Sequence, residues 1–146
     1  MEAKIFEAPS AVVSVPPDWS DHSQYILLGP PAAFRQSVVI AFSPATDPTP
    51  DAFADKQLPD MRKLPDFVLN GRTRVRLPRV AEPAVRLDFA WKQPTTPRLR
   101  QLQFFVLHAG TMYTVTATAT EAAFPAAQPE LERVVASFGP KLWGGA

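Results

Sequence analysis

Apolar and polar positions alternate with a period of two along most of this chain. In Met112–Thr120, Thr114, Thr116, Thr118 and Thr120 alternate with Val115, Ala117 and Ala119. That pattern reads as a strand with all its threonine hydroxyls on one face. Further extended segments are expected at Lys4–Glu7, Ala11–Val15, Tyr25–Gly29, Ser37–Ser43, Asp66–Leu77, Ala84–Lys92 and Leu99–Ala109. His108-Ala109-Gly110-Thr111 has the form of a hairpin turn between the last two strands. Elsewhere Pro16-Pro17, Gly29-Pro30-Pro31 and the Pro44–Pro50 loop punctuate the strands.

The period changes to that of a helix in two places. Thr49-Pro50-Asp51 is a helix start: a hydroxyl cap, proline at the first position, then an acid. Phe53, Gln57, Met61 and Leu64 follow on one helical face. Pro59 lies inside that pattern, and its missing N–H predicts a kink or an early end. A second helix is expected to open at Pro129 and Glu130. It carries Leu131, Val134, Val135 and Phe138 on its buried stripe and stops at Gly139-Pro140. Strands, helix, consecutive strands and helix, in that order, predict an α+β fold: an antiparallel β-sheet sandwich with packed helices. A single domain is expected over residues 1–140, with a flexible tail at 141–146 on which Trp143 is the one docking aromatic.

Composition narrows the function classes. The 146 residues suit one domain with a real core. The absence of Cys excludes a disulfide framework, a thiol enzyme and a thiolate zinc site. A net charge of +1 lacks the basic footprint of a nucleic-acid binder. Met1–Ser10 holds Glu2, Lys4 and Glu7 and lacks the basic start and apolar run of a signal peptide. Runs such as Tyr25–Leu28 and Phe104–Leu107 fall far short of the ~20 apolar residues that span a bilayer. The expectation is a soluble cytoplasmic protein without direct membrane insertion.

Catalytic chemistry has little support. His22 and His108 show no shared metal-ligand spacing, and no H-E-x-x-H, phosphate loop or G-x-S-x-G elbow is present. Asp18, Ser20, Asp21, His22 and Ser23 crowd into six positions and read as a polar turn. Asp88 reads more simply as a cross-strand partner for an arginine than as a catalytic acid. Arg72, Arg74 and Arg76 alternate on one strand face, with Arg79 close behind. They form either an anion stripe or, the favoured reading, a solvated face with acidic neighbours. No enzyme activity, cofactor or metal is expected.

Some polar and small residues sit in unusual company. Gln57 interrupts the Phe53/Met61/Leu64 stripe, and Gln103 lies between Leu102 and Phe104. A glutamine donates and accepts at once, so in a greasy groove it can pair with polar groups of an apolar ligand. Equally, both are surface positions or bond to loop backbone. On one face of the fourth strand, Ser37, Val39 and Ala41 are small enough to let another backbone approach.

The strings Pro17-Asp18-Trp19-x-Asp21, Phe53-Ala54-x-x-Gln57-Leu58, Leu64-Pro65-x-Phe67, Leu87-Asp88-Phe89-x-Trp91, Arg100-Gln101-x-Gln103, Tyr113-Thr114-Val115-Thr116-Ala117-Thr118 and Ser137-Phe138 together resemble the DcrB-like family, of PsbP/Mog-like fold. The resemblance runs from about Ile5 to Phe138. Without leader or lipobox Cys, the chain is similar to the Eag chaperone branch rather than to the exported lipoproteins. That resemblance implies a cytoplasmic homodimer whose sheet faces shield N-terminal transmembrane helices of type VI secretion effectors, of Rhs or PAAR type, before export. It implies a client groove built from Ile26, Ser37, Val39, Ala41, Gln57, Met61, Leu64 and Gln103. Three departures stand out: Pro59 follows Gln57 closely, the link before Leu64 is one residue short, and Ala41 occupies a position that is often hydroxylic. The alternative is a PsbP/Mog-like adaptor that binds a folded partner surface and has no membrane-helix client.

Overall fold

A computed structural model of the chain describes residues 4–8 and 11–141. The chain forms β1 (Lys4–Ala8), β2 (Ala11–Val15), β3 (Gln24–Leu28), β4 (Ser37–Pro44), α1 (Pro50–Met61), β5 (Val68–Val75), β6 (Ala84–Lys92), β7 (Arg98–His108), β8 (Thr111–Thr120) and α2 (Phe124–Ala136). β1 and β2 pair as a separate two-stranded sheet. The other strands form one antiparallel sheet of six, in the order β3-β4-β8-β7-β6-β5. This is the expected α+β architecture, with one helix on each face.

The long strands follow from their alternation, because each presents apolar residues to both covered faces. Leu102, Phe104 and Val106 of β7 join Val115, Ala117 and Ala119 of β8 in a core under α2, which contributes Phe124, Ala127, Leu131 and Val135. The other side chains of the same strands point the opposite way. Phe105, with Val85, Leu87 and Phe89 of β6, forms a second core under α1. There Ala54 is completely buried and lets the helix lie close, while Phe53 meets Phe105 edge-on at 5.0 Å and 81°. The β7–β8 turn places Ala109 at φ 47° and Gly110 at φ 77°, the two left-handed positions that a tight hairpin demands.

The helices depart from the sequence reading in their limits. Thr49 caps α1 as expected, accepting from the Ala52 N–H at 3.1 Å. Pro59 does not break α1, since the carbonyl it leaves free belongs to Asp55, whose position is exposed to water. The helix nevertheless ends at Met61, so Leu64 lies in the turn beyond it. α2 begins at Phe124 rather than Pro129, because Pro125 supplies the early helical proline and the buried Phe124 anchors the first turn. Pro129 is thus internal. Val134 is 38% exposed and not on the buried stripe. It faces a crevice that Leu27, Val38 and Leu131 also line. Trp143 and nearly all of the tail lie outside the described residues.

Topology decides what each helix covers. The chain leaves β4, passes over the sheet as α1 and enters at the far edge as β5. α1 therefore rests on β6 and β7. α2 returns over β8 and β4 on the opposite face. On the α1 face, no described helix lies over β8, β4 and β3.

Candidate binding groove

Register assembles the uncovered half-face from residues distant in sequence. Ile26 pairs with Val39, Val39 with Thr116, Thr116 with Gln103, and Gln103 with Leu87. The row beside it runs Leu28, Ser37, Thr118, Gln101 and Phe89. The row on the other side runs Gln24, Ala41, Thr114 and Phe105. Paired residues of neighbouring strands point to the same face, so all three rows share the face that bears α1. Ile26, Ser37, Val39, Ala41 and Gln103, expected to act together, are thus brought together.

The surface is apolar at its β3 margin and hydroxyl-rich in the middle. Ile26 is 61% and Leu28 54% exposed, whereas Val39, Ala41, Thr114, Thr116 and Gln103 are half-buried. At one end of the face, Gln24, Ala41, Ser43, Met112 and Thr114 are among the residues around a shallow depression of about 200 Å³. The remaining expected residues come from α1 and the turn after it. Gln57 is half-buried on the helix, and its amide makes no hydrogen bond among the described residues. Met61 and Leu64 pack, partly exposed, against the core beneath α1.

The two β7 glutamines have different duties. Gln103 donates its amide to the Thr116 hydroxyl at 3.1 Å, which leaves its carbonyl oxygen free among the described residues. Gln101 uses both ends: its Oε1 accepts from the Trp91 indole N–H at 2.7 Å, and its Nε2 donates to the Thr118 hydroxyl at 2.8 Å. Sequence reasoning found Gln103 and missed Gln101, Thr116 and Thr118 as floor residues. The period-two threonines were the available signal, but only the β7–β8 register sets them against the glutamines.

Charged residues hold the frame around this face. Arg72 of β5 reaches Asp55 at 2.7 Å and Asp51 at 3.2 Å, and Arg74 reaches Asp51 at 2.9 Å. These pairs tie α1 to β5. Hydrogen bonds from Arg74 and Arg72 hold the Asp51 carboxyl below its ordinary range, while Asp55 raises Arg72. Arg76 donates instead to the Ala81 carbonyl. The arginine stripe is therefore a set of neighbours to acids and backbone. Asp88 takes two hydrogen bonds from Arg100, at 3.0 and 2.8 Å, and one from Asn70 at 3.3 Å. Burial pulls its carboxyl upward, but the Arg100 and Asn70 bonds outweigh that and hold it low. The expected cross-strand partner for an arginine is what the structure contains. Among the described residues His22 bonds to Ser20 at 2.7 Å in an exposed loop, and His108 ends β7 opposite Thr111.

An antiparallel six-stranded sheet with one helix on each face, and half of one face free of any described helix, defines an α+β sandwich. The DcrB family profile matches residues 11–137, and the chain belongs to that family. Solved structures share the fold. PA94 from Pseudomonas aeruginosa, a protein of unknown function, superimposes with a TM-score of 0.77 at 23% identity, covering 97% of this chain and 99% of that one. LpqN of Mycobacterium tuberculosis, involved in cell envelope biogenesis, gives a TM-score of 0.50 at 12% identity, covering 94% and 76%. No curated protein sequence matches the chain significantly. Among the described residues, no helix is long and apolar enough to cross a membrane.

Proposed function

We propose that this DcrB-family protein is a cytoplasmic chaperone of the Eag type, which holds N-terminal transmembrane helices of a type VI secretion effector until export. The observation that carries the reading is the uncovered half-face beside α1, with Ile26, Val39 and Ala41 along it and the free carbonyl of Gln103 in it. An apolar helix of about 20 residues cannot remain in water, and covering it gains roughly 25 cal/mol for each Å² of apolar surface buried. The helix satisfies its own backbone, so the groove has to meet only side chains. Small residues at Ser37 and Ala41 let such a helix approach, and Gln57 and Gln103 offer partners for its few polar groups. The chain acts by binding and performs no chemistry.

The test is co-expression with the N-terminal hydrophobic segment of a neighbouring Rhs or PAAR-type effector, with purification through a tag on one partner. Co-purification and gain of solubility are expected. An effector segment that neither co-purifies nor becomes soluble removes the proposal. The hydroxyl-rich floor formed by Thr114, Thr116 and Ser37 supports one other reading, an adaptor for a folded partner. Retention of a folded partner that lacks any apolar segment would favour it.

A further inference from the structure

Among the described residues, the β1–β2 hairpin pairs with no strand of the six-stranded sheet and forms a sheet of its own. An isolated two-stranded hairpin is marginal in water and needs an apolar surface to lie on. This hairpin holds apolar side chains in solvent: Val12 is 67% and Val13 52% exposed. Its two faces are unequal. Paired positions share a face and successive positions alternate. The register therefore collects the positions of Phe6, Ala8, Ala11, Val13 and Val15 on one side, with Lys4 at the open end. Ile5, Glu7, Val12 and Ser14 fall on the other. One side is apolar along its length, and the other is mixed.

A helix on the uncovered half-face needs a cover of this kind. At the usual strand spacing, β8, β4 and β3 give a floor about 14 Å wide, which holds one helix about 10 Å across. A client that is apolar all round buries one flank on that floor. A second flank faces α1, which rests on β6 and β7. The flank at the β3 margin stays in water. The hairpin enters the sheet at that margin, because Pro16–Ser23 leads directly into Gln24 of β3. Pro16 and Pro17 narrow the conformations of this link, and the Trp19 N–H closes a turn on the Pro16 carbonyl at 3.1 Å. β2 has 5 residues. Such a strand spans about 17 Å, enough to cross the floor.

We infer that the apolar side of the β1–β2 hairpin closes over an apolar client helix on the uncovered half-face and completes its enclosure opposite α1. The inference rests on the chaperone reading and adds to it a part of the chain that supplies none of the groove residues. Val13 and Val15 meet the client, while Val12 and Ser14 turn to water. The bound client gives the hairpin the apolar partner that two strands lack, and the hairpin removes the client's last wet flank. Closure is therefore coupled to occupancy of the groove.

The experiment follows how fast a co-purified N-terminal hydrophobic segment of a Rhs or PAAR-type effector dissociates from wild type, Val13→Lys and Val12→Lys. Hydrogen exchange of Ala11–Val15 is measured in wild type with and without that segment. Val13→Lys sets a charge against the client and is expected to speed dissociation about tenfold or more. Val12→Lys, one residue away on the opposite side, is expected to release the segment at the wild-type rate. Amide exchange in Ala11–Val15 is expected to slow when the segment is bound. Both valines are exposed in the free chain, so neither change should move the urea midpoint. Equal dissociation from all three proteins, equal acceleration by both lysines, or unchanged exchange overturns the hairpin's role and leaves the chaperone reading standing. A Val13→Lys protein whose particle mass or urea midpoint changes while dissociation does not also overturns it, since the hairpin then packs on a second copy or on its own sheet. A wild type that retains no segment removes the chaperone reading, and the hairpin's role falls with it.

Discussion

Gln101 and Gln103 stand two residues apart on the same face of β7, yet replacing each by leucine should have very different consequences. Gln101→Leu removes the acceptor of the Trp91 indole N–H and the donor to the Thr118 hydroxyl. Thr118 is only 7% exposed and Trp91 is half-buried, so water cannot fully replace either bond. Each stranded polar group costs about 1–3 kcal/mol, the indole at the lower end, and the burial of leucine offsets part of it. A net loss of about 2–4 kcal/mol is expected, or roughly 5–12 °C in melting temperature for a chain of this size. Gln103→Leu breaks a single 3.1 Å bond to Thr116, a residue that is less buried than Thr118 and so better able to turn its hydroxyl to water. Its cost should stay below about 1 kcal/mol. Urea unfolding followed by far-UV circular dichroism measures both, with the slope checked for constancy. A cycle with Trp91→Phe should show a coupling to Gln101→Leu of about 1–2 kcal/mol. Equal midpoint shifts for the two leucine variants, or zero coupling to Trp91, would refute the division between a structural and a client-facing glutamine. Client retention should move the other way, falling in Gln103→Leu while the fold holds.

Three more outcomes follow from the geometry. The Asp88 carboxyl is held low in the folded state, so its contribution to stability is complete above about pH 4, the unfolded value. That contribution is lost as pH falls through the lower folded value. Asp88→Asn should therefore be less stable at neutral pH, and its deficit against wild type should shrink in acid; a deficit constant from pH 7 down to the acid limb would contradict this. Ala109→Asn, at φ 47° in the hairpin turn, should raise stability by about 0.5–1 kcal/mol, read as a shift in urea midpoint. Thr49→Ala should cost about 1 kcal/mol by freeing the Ala52 N–H, and an unchanged midpoint would show that water caps α1 equally well.

The strands, the order of elements and the start of α1 were legible in the chain because they depend on local rules. Alternation sets a strand, Thr49-Pro50 starts a helix, and Ala109-Gly110 turns a hairpin, each within a few residues. The same rules misplaced the start of α2, since Pro129 satisfied the local criterion as well as Pro125 did. What separates them is Phe124, completely buried in a core made by β7 and β8. Val134 failed for the same reason: periodicity reports that a residue shares a stripe, not how far the stripe's cover extends.

For the candidate groove, sequence alone selected residue types: small side chains at Ser37, Val39 and Ala41, and a glutamine at Gln103. Their assembly on one face belongs to tertiary structure, because it depends on β4 pairing with β8, a contact that spans α1 and three intervening strands. That pairing sets Thr116 between Val39 and Gln103 and gives Gln101 its threonine. The passage of α1 from β4 to the far edge then decides which half of the face is covered. Neither choice is encoded within any short window, since both arise from burying two apolar faces of one sheet with the two described helices.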